Sequence, residues 1–178
     1  MWRFARAHLP ECALTLVDSD ETVIALARRW FYLNQRVETD TAARFLARPR
    51  ERFDAILVDV YDAAGPAPAD MPFWTRCLEA LAPGGCLAAN WADFATNPVV
   101  RPMAEALVEA ASSKGLDCRF VTRRGYRDNL VQFAPSQSGL DRETMAAALE
   151  RFARERRLPD RGHGILDHCL VAARFPFA

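Results

Sequence analysis

The sequence lacks an excess of charge of either sign. Lys plus Arg and Asp plus Glu both count 23, so the formal charge is zero. Attraction to nucleic acid or to an anionic membrane needs clustered positive charge, which a balanced composition does not supply. We therefore expect neither nucleic acid nor a membrane among the partners of this protein.

Long apolar runs and paired cysteines are also missing. No stretch approaches the ~20 apolar residues that span a bilayer, and the opening MWRFARAHLPEC has no apolar core of a signal peptide. The five cysteines form no C-x-x-C pair and no Cys/His cluster at metal-ligand spacing. The sequence therefore predicts a cytoplasmic protein with no metal site and no disulfide framework.

The sequence does have the apolar content of a folded domain, since 51% of its 178 residues are hydrophobic. Apolar runs of strand length alternate with helical patterns, which predicts one α/β domain over residues 1–178. Its sheet should be mostly parallel, with an antiparallel strand pair near the C-terminal end. Strands are predicted at 13–20, 36–38, 53–59, 86–91, 118–122 and 129–134, and helices at 21–33, 40–48, 71–81, 97–114 and 141–157.

Three consecutive predicted strands end in acidic residues. These are Asp18 with Asp20, then Asp40, then Asp59 with Asp62. In open parallel sheets, ligands bind beyond the carboxyl ends of the strands, because loops and helix N-termini converge there. We therefore expect all five carboxylates to lie on one rim of the sheet.

Each aspartate also has an individual interpretation. Asp20 suits the N-cap of the following helix, while Asp40 suits an N-cap and a ligand contact equally, so both interpretations stay open. Asp18 ends an apolar run, where a carboxylate can accept hydrogen bonds from ribose hydroxyls. Asp59 follows four apolar residues, where an unpaired carboxylate is costly, so we expect a role for it at the mouth of the strand. Asp62 by itself is typical of a turn.

Four segments resemble the nucleotide-binding domain of the spermidine and spermine synthases, the aminopropyltransferases. The segments are VDSDETVI, VETDTAARFL, FDAILVDVYDAAGPA and LAPGGCLAANW. The most specific pattern is D-x-x-D-x-x-G-P-A at Asp59, Asp62, Gly65, Pro66 and Ala67. The resemblance covers residues 13–134 and implies the Rossmann-like fold of the class I methyltransferases.

The resemblance implies a role for each matching position. Asp18 matches the acidic residue that holds the ribose hydroxyls of decarboxylated S-adenosylmethionine, and Asp40, with Thr41 beside it, matches the aspartate next to the adenine. Asp59 matches the catalytic aspartate that orients the attacking amine and accepts its proton, and Asp62 matches its acidic neighbour. The implied reaction is aminopropyl transfer to a small-molecule amine, with the nucleoside as co-substrate and no permanently bound cofactor. Family members commonly self-associate, which implies a homodimer.

The beginning of the sequence departs from the family pattern. The family's first strand and glycine-rich loop should precede ALTLVDSD, but MWRFARAHLPEC stands there and contains no glycine. Ala63 also replaces the proline that usually follows the second aspartate. We therefore expect an N-terminally truncated sheet, which argues against efficient activity. Two alternatives stay open: a methyltransferase that uses S-adenosylmethionine, and a non-catalytic binding or interaction domain of the same fold.

Aromatic and histidine residues near these segments have less specific interpretations. For Phe73 and Trp74, packing of a helix on the sheet is favoured over lining an adenine or amine pocket. For Trp91 both interpretations stay open. His163 and His168, near the C-terminus, are typical of hydrogen-bonded surface groups.

Overall fold

The computed structural model describes residues 2–48, 52–59, 61, 62, 65, 66, 70–92, 94, 96–123, 129–135, 142–156 and 169–172. The chain divides into two compact units, Met1–Pro49 and Arg50–Ala178. The expectation of one domain over residues 1–178 stays a prediction.

The first unit contains a strand, a helix and a second strand in the predicted order. Its elements are α1 (Trp2–His8), β1 (Leu16–Asp18), α2 (Glu21–Phe31), β2 (Val37–Thr39) and α3 (Ala42–Leu46). The strands β1 and β2 pair in parallel, with Asp18 opposite Thr39. Both strands therefore end at the same edge of their sheet.

Helix α2 begins where Asp20 caps it. The Asp20 Oδ1 atom accepts hydrogen bonds from the backbone N–H groups of Thr22, at 2.7 Å, and Val23, at 3.2 Å. Both groups lie in the first turn, where the helix itself offers no acceptor. At the other end Tyr32 adopts a left-handed conformation with φ 54°. The capping role predicted for Asp20 is confirmed, and it fixes the turn between β1 and α2.

The second unit contains most of the sheet. Its elements are β3 (Phe53–Val58), β4 (Tyr61–Asp62), β5 (Gly65–Pro66), α4 (Met71–Glu79), β6 (Leu81–Ala92), α5 (Val100–Ser112), β7 (Arg119–Arg123), β8 (Asn129–Pro135), α6 (Arg142–Glu155) and β9 (Cys169–Ala172). Five of these strands form one sheet in the order β3-β6-β8-β7-β9, while β4 and β5 form a separate pair.

The directions of the strands in the larger sheet follow from their pairings. β3 and β6 are parallel, β8 is antiparallel to β6 and to β7, and β9 is antiparallel to β7. Thus β3, β6 and β7 run one way, and β8 and β9 run the other way. The predicted α/β class and the predicted antiparallel pair β7–β8 are confirmed. The antiparallel part also extends to β9, a strand that the sequence pattern did not predict.

Strand β3 lies at one edge of this sheet. Within the described residues it pairs with β6 alone, and Leu57 is 56% exposed. A run such as AILV, apolar on both faces, is more typical of the inside of a parallel sheet.

Strand β6 begins five residues earlier than predicted, because Pro83-Gly84-Gly85 interrupts the pairing without ending the strand. Phe53 lies opposite Leu81, and Ala55 lies opposite Cys86, so extra residues of β6 are accommodated between the two pairs. Gly84 has φ +80°, and a Cβ on Gly85 would lie 3.0 Å from the Phe53 carbonyl oxygen. Glycine thus permits the close approach of the two strands that an ordinary residue would prevent.

A buried polar network joins the sheet to a helix. Trp91 Nε1 donates to Gln132 Oε1 at 2.9 Å, and Gln132 Nε2 donates to the Ala104 carbonyl oxygen in α5 at 3.0 Å. Trp91 also packs edge-on against Trp74 of α4, with ring centroids 5.6 Å apart. Gln132 is fully buried, so these hydrogen bonds replace the water that its amide loses on folding.

We expect Gly85→Ala to lower the free energy of unfolding by about 3 kcal/mol, since its methyl group would press on backbone oxygens that cannot move aside. The Cβ would lie 2.9 Å from the Ala82 oxygen and 3.1 Å from the Asp54 oxygen. Gly115→Ala is the control, because Gly115 has φ +70° and no atom near its Cβ position. Gly115→Ala should lower the free energy of unfolding by about 1 kcal/mol, because only the left-handed backbone disfavours the alanine. Urea unfolding measures both, and equal losses would contradict the close-approach explanation.

We expect Gln132→Met to lower the free energy of unfolding by about 2 kcal/mol, because it leaves the buried Trp91 N–H group without an acceptor. Trp91→Phe removes that N–H group. The Met replacement should therefore cost about 1 kcal/mol less in the Trp91→Phe background than in the wild type. A double-mutant cycle measured by urea unfolding gives this difference, and strictly additive losses would show that the hydrogen bond contributes nothing.

Candidate functional site

In the first unit, Asp18 and Asp40 lie at the carboxyl ends of two neighbouring parallel strands. Asp18 is the last residue of β1, and Asp40 directly follows β2. The Asp40 backbone N–H donates to the Asp18 carbonyl oxygen at 3.0 Å. The structure therefore brings these two predicted site residues together, at the edge of the sheet where ligands of parallel sheets bind.

The Asp18 side chain is half-buried and engaged at one oxygen. Its Oδ1 accepts the backbone N–H of Asp20 at 2.9 Å, in the turn before α2. Among the residues that the structure describes, no hydrogen bond reaches Oδ2. One oxygen thus orients the carboxylate, while the other can accept a hydroxyl group.

The Asp40 side chain is buried, with 8% of the residue exposed, and it is paired with two arginines. Oδ1 accepts the Thr41 backbone N–H at 2.9 Å and lies 3.4 Å from Arg44 Nε. Oδ2 is hydrogen-bonded to Arg48 Nη2. Positive partners on both oxygens offset the cost of removing a carboxylate from water. Arg48 also faces Glu38 on β2.

Helix α3 is capped by Thr41 rather than by Asp40. The Thr41 hydroxyl oxygen accepts the Arg44 backbone N–H at 3.3 Å. The N-cap interpretation of Asp40 is therefore wrong, because its side chain is turned toward the arginines instead. The arginine partners were missed in the sequence, although the spacing of four residues between Asp40 and Arg44 is that of ion pairs on helices.

In the second unit, Asp59 directly follows β3 and is exposed. Its Oδ1 accepts a hydrogen bond from Asn90 Nδ2 of β6 at 3.0 Å. In the parallel pairing of the two strands Val58 lies opposite Ala89, so the next residue of each strand stands beside the other. Asn90 was missed in the sequence, although it ends an apolar run just as Asp59 does.

The rest of the D-x-x-D-x-x-G-P-A segment is described only in part. Asp62 and Gly65 face each other in the antiparallel pair β4–β5, with Tyr61 opposite Pro66. The side chain of Asp62 and the whole of Ala67 lie outside the described residues, as do His163 and His168. That the acidic groups of the two units line one rim stays a prediction.

The aromatic residues considered for a pocket wall belong largely to the core. Trp74 is fully buried and Trp91 is 3% exposed, while Phe73 is half-buried against Trp74. The packing interpretation of Trp74 is confirmed, and Trp91 joins it in the core through Gln132.

Three cysteines of the second unit, Cys77, Cys86 and Cys118, have thiols with raised pKa values. Burial raises the pKa of the Cys77 thiol to about 12 and that of Cys118 to about 11. Burial also raises the pKa of Cys86. Since the thiolate is the nucleophile and the metal ligand, burial disfavours the reactive form of these three thiols.

Metal ligands and membrane spans were sought across the described parts of the chain. These parts contain no group of three or more His, Cys, Asp or Glu side chains that could hold a metal ion. In the same parts, every helix is too short or too polar to cross a bilayer.

Sequence comparison confirms the predicted resemblance over half of the chain. A polyamine aminopropyltransferase of Chromobacterium violaceum is 35% identical over 97 residues, which are 50% of this chain and 37% of that protein. The chain thus spans little more than a third of the relative's length in this alignment. No protein-family model matches the sequence.

Structural comparison confirms the Rossmann-like methyltransferase fold. A probable spermidine synthase from Corynebacterium glutamicum matches with a TM-score of 0.67 and 21% identity, over 96% of this chain and 61% of that one. The N-methyltransferase NodS from Bradyrhizobium japonicum matches with a TM-score of 0.51 and 20% identity, over 71% and 75% of the two chains. At this identity the likeness concerns the fold alone.

We expect Asp40→Asn to lower the free energy of unfolding by about 2 kcal/mol, because it removes the charge that pairs with Arg44 and Arg48 in a buried position. Glu105→Gln is the matched control. Glu105 pairs with Arg101 at the same spacing of four residues, but both side chains are more than half exposed. Its loss should stay below about 0.5 kcal/mol. Urea unfolding measures both changes, and a loss for Asp40→Asn as small as the control's would show that the buried pairing contributes nothing.

Proposed function

We propose that this chain transfers an aminopropyl group from decarboxylated S-adenosylmethionine to a small-molecule amine. The observation that supports the proposal best is the Asp59 carboxylate at the mouth of the parallel pair β3–β6. It is exposed, and the amide of Asn90 on the neighbouring strand orients it. The curated relative named above is a polyamine aminopropyltransferase, so this position and that name point to the same chemistry.

Asp59 acts in this proposal as the general base. An alkylammonium substrate must lose a proton before its nitrogen carries the electron pair that attacks carbon. The carboxylate first attracts the cation and then accepts the proton. The nitrogen attacks the aminopropyl carbon bonded to the sulfonium sulfur, an N–C bond forms and the C–S bond breaks. The electron pair of the broken C–S bond stays on sulfur, and the neutral thioether methylthioadenosine leaves. Asp62 assists in the same loop.

Asp18 binds the ribose of the nucleoside in this proposal. One of its oxygens is held by the turn before α2, and the other is positioned to accept a hydroxyl hydrogen bond. An ionised carboxylate only accepts hydrogen bonds, and the two neighbouring hydroxyls of a ribose can both donate them.

Asp40 and Thr41 recognise the adenine. Each carboxylate oxygen has two lone pairs, and Oδ2 of Asp40 uses one of them for Arg48. The remaining lone pair can accept the exocyclic amine of adenine. Thr41, through its N–H group and its helix cap, holds the carboxylate in place.

The proposal includes the partners and the location that the sequence predicts. The acceptor is a small amine, neither nucleic acid nor membrane takes part, the protein is cytoplasmic, and two copies form a homodimer. A methyltransferase that uses S-adenosylmethionine is the second candidate, favoured by the likeness of the fold to an N-methyltransferase.

Calorimetric titration of the 178-residue chain separates the candidates. Binding of methylthioadenosine together with putrescine supports aminopropyl transfer. Binding of S-adenosylhomocysteine without methylthioadenosine favours the methyltransferase. Absence of binding for all three ligands favours an interaction domain and contradicts the proposal.

We expect Asp59→Asn to lower kcat for aminopropyl transfer by about a hundredfold or more, because the amide cannot accept the proton of the amine. Asp54→Asn is the matched control, since Asp54 is an exposed aspartate on the same strand and should leave kcat unchanged. Release of methylthioadenosine, measured by chromatography, follows the reaction. Full activity of Asp59→Asn would show that another group is the base.

A further inference from the structure

Asn90 is a half-buried amide side chain of β6 that donates a hydrogen bond to Asp59. An ionised carboxylate can only accept hydrogen bonds, so the atom that faces it must be the donating nitrogen of the amide. The separation of 3.0 Å between Asn90 Nδ2 and Asp59 Oδ1 is that of a normal hydrogen bond. The contact therefore has a definite donor and a definite direction.

The backbone that carries Asn90 is held on both sides. Asn90 lies within β6, opposite Val131 of β8, and its strand also pairs with β3. The next residue, Trp91, is anchored in the core by Gln132 and Trp74. Side chains on a strand fixed in this way keep their direction, because the backbone beneath them cannot turn.

Asp59, by contrast, lies one residue beyond the end of β3. A carboxylate at such a position has rotamers to choose from, and its exposure means that packing does not select one. The Asn90 amide supplies the missing restraint at Oδ1. Oδ2 takes no part in this hydrogen bond.

We propose that Asn90 is the positioning residue of Asp59: its amide holds Oδ1 so that Oδ2 faces the incoming amine. This inference rests on the proposed function and deepens it. An amide suits the task because it neither gains nor loses a proton near neutral pH, so it cannot compete with the carboxylate for the proton of the substrate. Holding a reacting group in one geometry lowers the free-energy barrier of the reaction. The entropy of fixing that group is then lost before the reaction step and not during it.

The test compares Asn90→Leu, which removes the donor at similar volume, with wild type and with Asp59→Asn. In the wild-type background we expect kcat to fall by about tenfold, with little change in KM for the nucleoside. In the Asp59→Asn background the same replacement should have no further effect, because Asn90 acts through that carboxylate. Asn90→Gln, which keeps an amide donor, should recover part of the lost kcat.

A second measurement does not depend on activity. Three-bond NMR couplings between Hα and the two Hβ atoms of Asp59 report its side-chain rotamer. We expect one rotamer in the wild type and rotamer averaging in Asn90→Leu. Asn34→Leu, the same replacement at an exposed asparagine of the first unit, should change neither kcat nor these couplings. Should Asn90→Leu not fold, Asn90→Ala removes the same donor and takes its place.

The outcomes separate the two proposals. Absence of transfer by the wild-type chain overturns the proposed function, and the couplings of Asp59 then decide whether Asn90 positions it. With an active wild type, an unchanged kcat or a rotamer that persists in Asn90→Leu overturns the positioning role. An equal fall of kcat in the Asp59→Asn background also overturns it, since Asn90 would then act independently of Asp59.

Discussion

The parallel pairing of β3 with β6 decides where the chemistry of the second unit can take place. Its register sets Val58 opposite Ala89, so Asp59, the first residue after β3, lies beside Asn90 within β6. A shift of one residue would send one of these side chains to the opposite face. Their hydrogen bond at 3.0 Å therefore depends on the pairing of the whole strands. Two features hold that pairing, the close approach at Gly85 and the anchorage of Trp91 in the core.

The first unit meets a different physical requirement, the placement of a charge in a buried position. Only 8% of the Asp40 residue is exposed to solvent. Its charge is balanced by Arg44, which lies in α3, and by Arg48, which follows α3. The same arrangement occupies part of the hydrogen-bonding capacity of the carboxylate and so limits how many of its lone pairs remain for a ligand. Recognition of adenine at Asp40 would thus rely on a group already held in place before the ligand arrives, which reduces the ordering cost of binding.

The resemblance and the contacts support the proposed function in different ways. The curated aminopropyltransferase aligns with half of the chain, and the structural likeness to a probable spermidine synthase extends over nearly all of it. The fold places carboxylates at strand ends, which many proteins of this architecture do for different reactions. The contacts add what is particular to this chain: the amide beside Asp59, the turn that holds one oxygen of Asp18 and the arginines around Asp40.

The sequence by itself determined the features that depend on neighbours along the chain. The cap at Asp20, the helix α2 that follows it and the apolar strands β1 and β3 could all be predicted, since local hydrogen bonding and periodicity control them. The tertiary structure alone decided the extension of β6 through Gly85, the pairing of the short strand β9, and the contact between Asp59 and Asn90. These depend on residues that lie far apart in the chain, and their energy arises only when the strands pair. No local pattern carries that information.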